Sequence, residues 1–412
     1  MSDRMPSSRD PLGRFYTQPA IGDLLVTLMG ETPPQRILDL GAGSGALSRA
    51  ARLRWTNSDI TTVDVDEAIS RGPLSAIGLS GPGLHRHVVA DVLDADLPDR
   101  LGEVAGGFDA ALCNPPYIVP RWQPSFERIL EEAGLDGLFH VKQEPTAEAL
   151  FIAQNLRLTR DGAQIGLIVP DGLVTGRRFR SFRRAILHNH TVQGVVQLPR
   201  GSFRRTDAQA FILVLAKGVP SIDGITLHRM EPEGALSEPV CITRERAEER
   251  LDWGHHVLFQ QPSEHGPTLS DLGADVRRGS LETKQARASD LPMFHTTDFP
   301  AQNDTGGLDL PDADSGRFGT LIVAEPGDIL IARVDRRLHR KVAQVRSGRA
   351  ALTSCVYRVR VAAEMCQPVF ASLTSPQGCD RLASTARGVG PRMLGKEDLL
   401  RMPLSLPDAA FR

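Results

Sequence analysis

Residues 36 to 45 read RILDLGAGSG, a short apolar run closed by Leu40 and followed by glycines at 41, 43 and 45. A run of this kind suits a strand buried on both faces. The glycines let the main chain turn sharply into a helix while a ligand approaches within contact distance of the backbone. A dinucleotide-binding turn uses the wider spacing GxGxxG, with a pyrophosphate set on the helix N-terminus. The tighter GxGxG of Gly41, Gly43 and Gly45 points to a cofactor without phosphates, and S-adenosylmethionine fits.

Outward from this turn, residues 34 to 218 alternate β-rich runs with helical periodicity. The runs RILDL, DITTVDV, HRHVVADV, FDAALC, QIGLIVP, VQGVVQL and AFILVLAK predict seven strands, with helices over stretches such as 145–158 and 177–187. Alternation of this kind predicts an α/β fold, a doubly wound, mainly parallel Rossmann-like sheet. Upstream, TQPAIGDLLVTLM (17–29) has Thr17 as a capping residue and Pro19 in the first turn, with Ile21, Leu24, Leu25, Leu28 and Met29 on one face. Ligands of such sheets lie beyond the carboxyl ends of the strands. Asp39 ends the first strand, Asp64 and Asp66 end the second, suited to ribose hydroxyls, and Asp91 ends the third, where an acceptor could hold an adenine amino group.

The fourth run leads into LCNPPYIVP, residues 112–120. Proline fixes φ and removes an N–H donor, so Pro115 and Pro116 make a rigid turn whose carbonyls face outward without competing internal bonds. The Asn114 amide oxygen and the Pro115 carbonyl then form a pair of acceptors suited to an exocyclic NH2. An aryl amine is a poor nucleophile because its lone pair is delocalised into the ring. Two acceptors on its hydrogens favour a pyramidal nitrogen and direct its lone pair at a methyl sulfonium. Tyr117 offers a flat face on which a base taken out of a helix could stack.

A chain of 412 residues predicts two domains. The texture changes after 218: residues 219–250 read as a connector, and within 251–412 the runs GDILIARV, KVAQVR and SCVYRVRV predict an antiparallel β unit in a smaller α+β domain. The net charge of −2 does not advertise nucleic-acid binding, but its distribution is uneven. Between Asp171 and Asp207 no acid interrupts Arg177, Arg178, Arg180, Arg183, Arg184, Arg200, Arg204 and Arg205, and a second basic stretch holds Arg333, Arg336, Arg337, Arg340 and Lys341. Such clusters neutralise phosphates, or else they are solvated faces. The five cysteines are scattered, with no CxxC pair, and read as buried free thiols; no metal site is indicated. A polar N-terminus and apolar runs too short for a bilayer predict a cytoplasmic, nucleoid-associated protein without a membrane segment.

Taken together, LDLGAGSG, NPPY and the preceding GRFYTQP (13–19) resemble the gamma-class DNA adenine-N6 methyltransferases, in the order that class uses. The resemblance covers about residues 11 to 218. It implies S-adenosylmethionine as methyl donor and duplex DNA as partner, with Phe15, Tyr16 and Thr17 at the methionine end of the cofactor, although Gln18 stands where the family motif has its proline. LPRGSFRRTDAQAFILVL (198–215) is similar to the family segment whose aromatic packs on the other face of the flipped adenine, which makes Phe203 its match. The stretches 327–361 and 382–407 look like a target-recognition domain of type I specificity subunits. That implies a Taq-type monomer with residues 1–218 as catalytic domain, and DNA contacts from Arg177, Arg178, Arg204, Arg205, Arg333, Arg336, Arg337 and Arg340. A separate restriction nuclease is left open. Two alternatives compete: a methyltransferase of release-factor glutamine or ribosomal RNA using the same acceptor pair, and a DNA-binding module without catalysis. Cys113 lacks the proline-then-cysteine order of a cytosine-C5 nucleophile, and His188-Asn189-His190 reads as a helix end, not a nuclease motif.

Overall fold

A computed structural model describes residues 17–67, 81–102, 107–139, 144–203, 208–220, 224–260, 266–282, 290–300, 307–388 and 391–407. The chain divides into two compact units, 1–253 and 254–412. In the first unit the strands are β1 (Arg36–Leu40), β2 (Asp59–Asp64), β3 (His85–Val89), β4 (Phe108–Cys113), β5 (Thr159–Pro170), β6 (Thr191–Gln197), β7 (Ala210–Ala216), β8 (Ile225–Arg229) and β9 (Val240–Ile242). The helices are α1 (Pro19–Leu28), α2 (Ala46–Arg54), α3 (Leu97–Leu101), α4 (Ser125–Glu132), α5 (Ala147–Leu158), α6 (Asp171–Thr175), α7 (Arg180–Asn189) and α8 (Arg244–Glu249).

The strands form one sheet in the order β3-β2-β1-β4-β5-β7-β6-β8-β9. β3 to β5 run parallel, and β7 is antiparallel to both β5 and β6. The seven expected strands are all present. The expected connector 219–250 is not: it contributes β8, parallel to β6, then β9 and α8, so the first unit runs on to Trp253. Two short strands among prolines, glycines and serines carry too little periodicity to stand out, and the pairing of β8 with β6 and of β9 with β8 is what makes them strands.

The order reverses at β1 and β4, which pair in parallel with Leu40 opposite Cys113. On the other side of β1, Leu40 lies opposite Val63. Gly41 and Asn114, each one residue beyond its strand, and Asp64, the last residue of β2, therefore lie side by side at one end of the sheet.

α1 packs on β5, where an added Cβ at Gly166 would stand 2.6 Å from both Leu25 Cδ2 and Met29 Sδ, so those side chains would have to move aside. Ile21, Leu25 and Met29 are buried and Leu24 and Leu28 partly so, as expected, and Val26 is buried beside them. Thr17 is not the cap. Gln18 occupies that position in an extended conformation, with Pro19 opening the helix, and the Gln18 amide donates to Ser202 O at 2.7 Å. α5 is buried on nearly all sides, with Arg157 alone half-exposed, as befits a helix enclosed within its unit.

The first basic cluster is partly structural. Arg183 is 2% exposed and donates to the carbonyls of Leu173, Gly176, Glu248 and Glu249 at 2.7 to 3.0 Å. Hydrogen bonds to a charged group contribute about 1.5–3 kcal/mol each, so this guanidinium is committed to holding α7 against the ends of α6 and α8. Arg180 pairs with Glu249 at 2.6 Å and Arg184 with Glu248 at 3.9 Å. The acids missing from the local sequence come from α8, about 65 residues later.

The second unit holds a five-stranded sheet in the order 275–278, 356–360, 329–332, 342–347 and 308–309. The three expected runs are its neighbouring antiparallel strands. Helices Ala363–Thr374 and Pro376–Thr385 contribute Val369, Leu373 and Leu382 to a core shared with Ile329, Ile331, Tyr357 and Val359. At the edge of this core Arg360 bridges Asp328 and Glu325, both within 2.8 Å.

None of the five cysteines is in a disulfide; Cys113 and Cys366 are buried as expected, whereas Cys241 is exposed and Cys355 and Cys379 are half-buried. Among the described residues no helix is long and apolar enough to cross a membrane, and no cluster of three His, Cys, Asp or Glu could hold a metal ion.

Candidate active site

Beyond the ends of β1, β2 and β4 lies a pocket lined by Thr17, Asp39, Gly41, Ala42, Gly43, Ser44, Asp64, Asp91, Asn114 and Pro116, with Val65, Val92, Leu93, Ile118 and Phe151 as apolar walls. The glycine turn is held from β2: Gly41 N and Ala42 N donate to Val63 O at 2.8 and 3.1 Å, and Gly43 N donates to Asp64 Oδ2 at 2.9 Å. Gly41, Gly43 and Gly45 all have positive φ. At Gly41, with φ +72°, an added Cβ would lie 3.0 Å from Phe151 Cε1.

A side chain at Gly41 would thus meet both a left-handed backbone and a pocket wall. Gly41→Ala is expected to lower cofactor affinity about tenfold or more through strain in the turn, as titration calorimetry would read it. Unchanged affinity would separate this turn from the cofactor.

Asp39 is fully buried at the base of the pocket. Burial lifts its carboxyl to about 7; the Ser48 hydroxyl, donating at 2.5 Å, opposes the shift, and the nearby Asp64 carboxylate adds to it. A cationic ligand would relieve this strain by drawing Asp39 into its charged form. Among the described residues lining the pocket there is no Lys or Arg, which suits a sulfonium and an ammonium better than phosphates. The apolar walls suit an adenine ring. The residues present therefore fit S-adenosylmethionine.

Asp64 and Asp91 both line this space; Asp91 Oδ1 also accepts from Leu93 N at 2.9 Å. Asp66 does not line it, and its backbone N–H instead braces Asp64 Oδ1 at 3.0 Å. Asn114 Nδ2 donates to Thr17 Oγ1 at 3.0 Å, joining the N-terminal motif to NPPY. Pro115 is buried behind the turn, while Tyr117 is half-exposed with its hydroxyl inside the protein. Burial raises that hydroxyl's pKa, and the charges of Glu148 and Cys113 add to the rise.

Several expected residues lie elsewhere. Phe203 is 1% exposed and packs in the apolar cluster with Leu25, Leu198 and Ile212, so in this structure its ring presents no face to a base. The Gln18–Ser202 hydrogen bond ties down the loop just before it. Phe15, Tyr16, Arg204 and Arg205 lie outside the described residues. Arg177 and Arg178 are exposed; the Arg178 guanidinium donates to Glu144 O and stands 5.2 Å over the Phe179 ring. In the second unit Arg333 is half-buried and donates to Ser354 O at 3.0 Å, whereas Arg336, Arg337 and Arg340 are exposed. Asp335 pairs with Lys341 at 2.7 Å and accepts from Arg337 N at 2.7 Å. Phe151, Val65 and Ile118 were not foreseen. Val65 and Ile118 had a signal, each following a motif residue at a strand end, but Phe151 reaches the turn only because α5 packs there.

The ribosomal RNA small subunit methyltransferase C of Chromohalobacter salexigens is 32% identical over 117 residues, 27% of this chain and 31% of that protein. The release factor glutamine methyltransferase of Chlorobaculum tepidum is 38% identical over 85 residues, 20% and 27% of the respective chains. The chain thus spans less than a third of either curated relative. The type IIG restriction endonuclease BpuSI shares the fold, with a TM-score of 0.54 at 16% identity over 97% of this chain and 60% of that one. The N-6 DNA Methylase family model matches residues 2–231, more than half of the 412 residues, and the chain belongs to that family.

Proposed function

We propose that this protein methylates the N6 amino group of adenine in duplex DNA, with S-adenosylmethionine as donor, as the modification activity of a restriction-modification system. The observation that carries the reading is the pairing of Leu40 with Cys113, which sets the Gly41 turn and Asn114 next to each other around one pocket. When bound, the cofactor supplies an electrophilic methyl on a sulfonium sulfur. Asp39 and Asp64 would hold its positive end and ribose, and Val65, Val92, Leu93 and Phe151 would enclose its adenine. Thr17 fixes the Asn114 amide so that its oxygen, with the Pro115 carbonyl, grips the hydrogens of the acceptor amine. The bound cofactor would supply the methyl, towards which these two acceptors orient the amine lone pair, and the proton given up by the methylated nitrogen would leave to solvent. The side chains contribute by position and electrostatics.

The flipped base stacks on Tyr117. A second aromatic from the Phe203 loop would need that buried ring to come out, a rearrangement on DNA binding. The second unit acts as the target-recognition domain, with Arg336, Arg337 and Arg340 as its DNA-facing charges, and Arg177 and Arg178 add contacts from the first unit. The protein works as a cytoplasmic monomer on the nucleoid, and a separate nuclease would supply any cleavage.

The test is incorporation of labelled methyl into duplex DNA, RNA and protein offered in parallel. Label in DNA alone is expected. Label in RNA or protein would favour the alternative acceptors, and cofactor binding with no transfer to any of the three would favour a non-catalytic DNA-binding module.

A further inference from the structure

The mechanism above leaves unused a buried acid next to the NPPY turn. Glu148 lies in the first turn of α5, is 6% exposed, and its Oε2 has no hydrogen-bond partner among the described residues. The start of α5 is stitched to the catalytic turn: Ala147 N donates to Ile118 O at 2.9 Å, next to Tyr117. The Tyr117 hydroxyl lies within the electrostatic reach of Glu148. One helical turn further on, Phe151 lines the cofactor pocket. A carboxyl at the second position of a helix ordinarily stays at the surface and meets the helix dipole. This one is enclosed beside the aromatic of NPPY with an oxygen unused, an arrangement that calls for a ligand atom.

A buried carboxyl with an unmet oxygen is far cheaper neutral than charged, so it is a donor. Adenine offers ring nitrogens on either side of the C6 amine, both acceptors. We propose that, once entry of the base uncovers its buried oxygen, Glu148 in its neutral form donates a hydrogen bond to a ring nitrogen of the base stacked on Tyr117, and so helps select adenine. The inference rests on the DNA-adenine reading above.

Its surroundings favour the neutral state. Burial lifts the Glu148 carboxyl to about 7, against its own backbone amide, the Thr146 hydroxyl and the more distant charge of Arg178, which pull it down. The donor is therefore intact below about 7 and is lost as pH rises through that value, when a carboxylate would face a ring lone pair. Asp39 has a similar value, but a bound cationic cofactor holds it ionised, so the profile is read at saturating cofactor.

The experiment compares parent, Glu148→Gln and Glu148→Leu for cofactor affinity and for methylation of unmodified genomic DNA between pH 6 and 9. Glutamine keeps an N–H donor that cannot ionise. Expected are unchanged cofactor affinity in both variants, a Gln rate within about threefold of the parent without its fall above neutrality, and a Leu loss of about tenfold or more in kcat/KM for DNA. Three results would overturn the assignment: Gln as inactive as Leu, a parental fall on the acid side that Gln removes, or parental behaviour in both variants. A parent that binds cofactor yet leaves DNA unlabelled would instead remove the function on which the inference rests, and the inference with it.

Discussion

Asn114→Ala should reduce methyl transfer by about 10² to 10³-fold or more, the usual cost of losing one preorganised polar group that acts on the reacting centre, while cofactor affinity changes little. The amide is anchored through its nitrogen to Thr17 at 3.0 Å, and its backbone is fixed by two prolines and by the pairing of Cys113 with Leu40. Removing the side chain thus leaves the pocket wall in place and deletes one acceptor. Single-turnover transfer with labelled cofactor reads the loss, and calorimetry reads the affinity. If affinity falls in step with the rate, Asn114 belongs to the cofactor and not to the acceptor base.

The second large effect concerns DNA. Arg336→Ala with Arg337→Ala should weaken binding and reduce the slope of log K against log salt by about 0.9 for each phosphate that the two arginines neutralise. Both side chains are exposed, and the acid between them and Arg333 is already taken up by Lys341 and the Arg337 backbone. Arg333→Ala is the useful contrast, because that guanidinium is held by Ser354 O within its own unit. A uniform loss on all sequences would identify phosphate anchors, whereas a loss of about 1–3 kcal/mol confined to one base position would identify a reader of guanine. A salt slope equal to the parent's would mean that this loop faces away from DNA.

The catalytic edge was legible because its signals are local. Gly41, Asp64, Asp91 and Asn114 each follow an apolar run directly, and parallel pairing carries all of them to the same end of the sheet. What the sequence hid was supplied at long range. Arg183 reads as one more surface arginine until Glu248 and Glu249 arrive from α8 with their carbonyls. Phe203 has the right motif around it, yet Leu25 and Ile212 close over its ring. Glu148 looks like an ordinary acid in a first helical turn, and only the Ala147–Ile118 hydrogen bond shows that this turn abuts Tyr117. Thr17 does not cap α1, and its hydrogen bond with Asn114 is a long-range contact that no local signal foretold.

The central claim, that the methyl lands on the exocyclic nitrogen of adenine, is tested most directly by incubating the protein with unmodified duplex DNA and trideuteromethyl-labelled cofactor, then digesting to nucleosides for mass spectrometry. The label should appear in N6-methyldeoxyadenosine and vanish with Asn114→Ala. Label in a methylated cytosine, or in no nucleoside while the cofactor is consumed, would contradict the account.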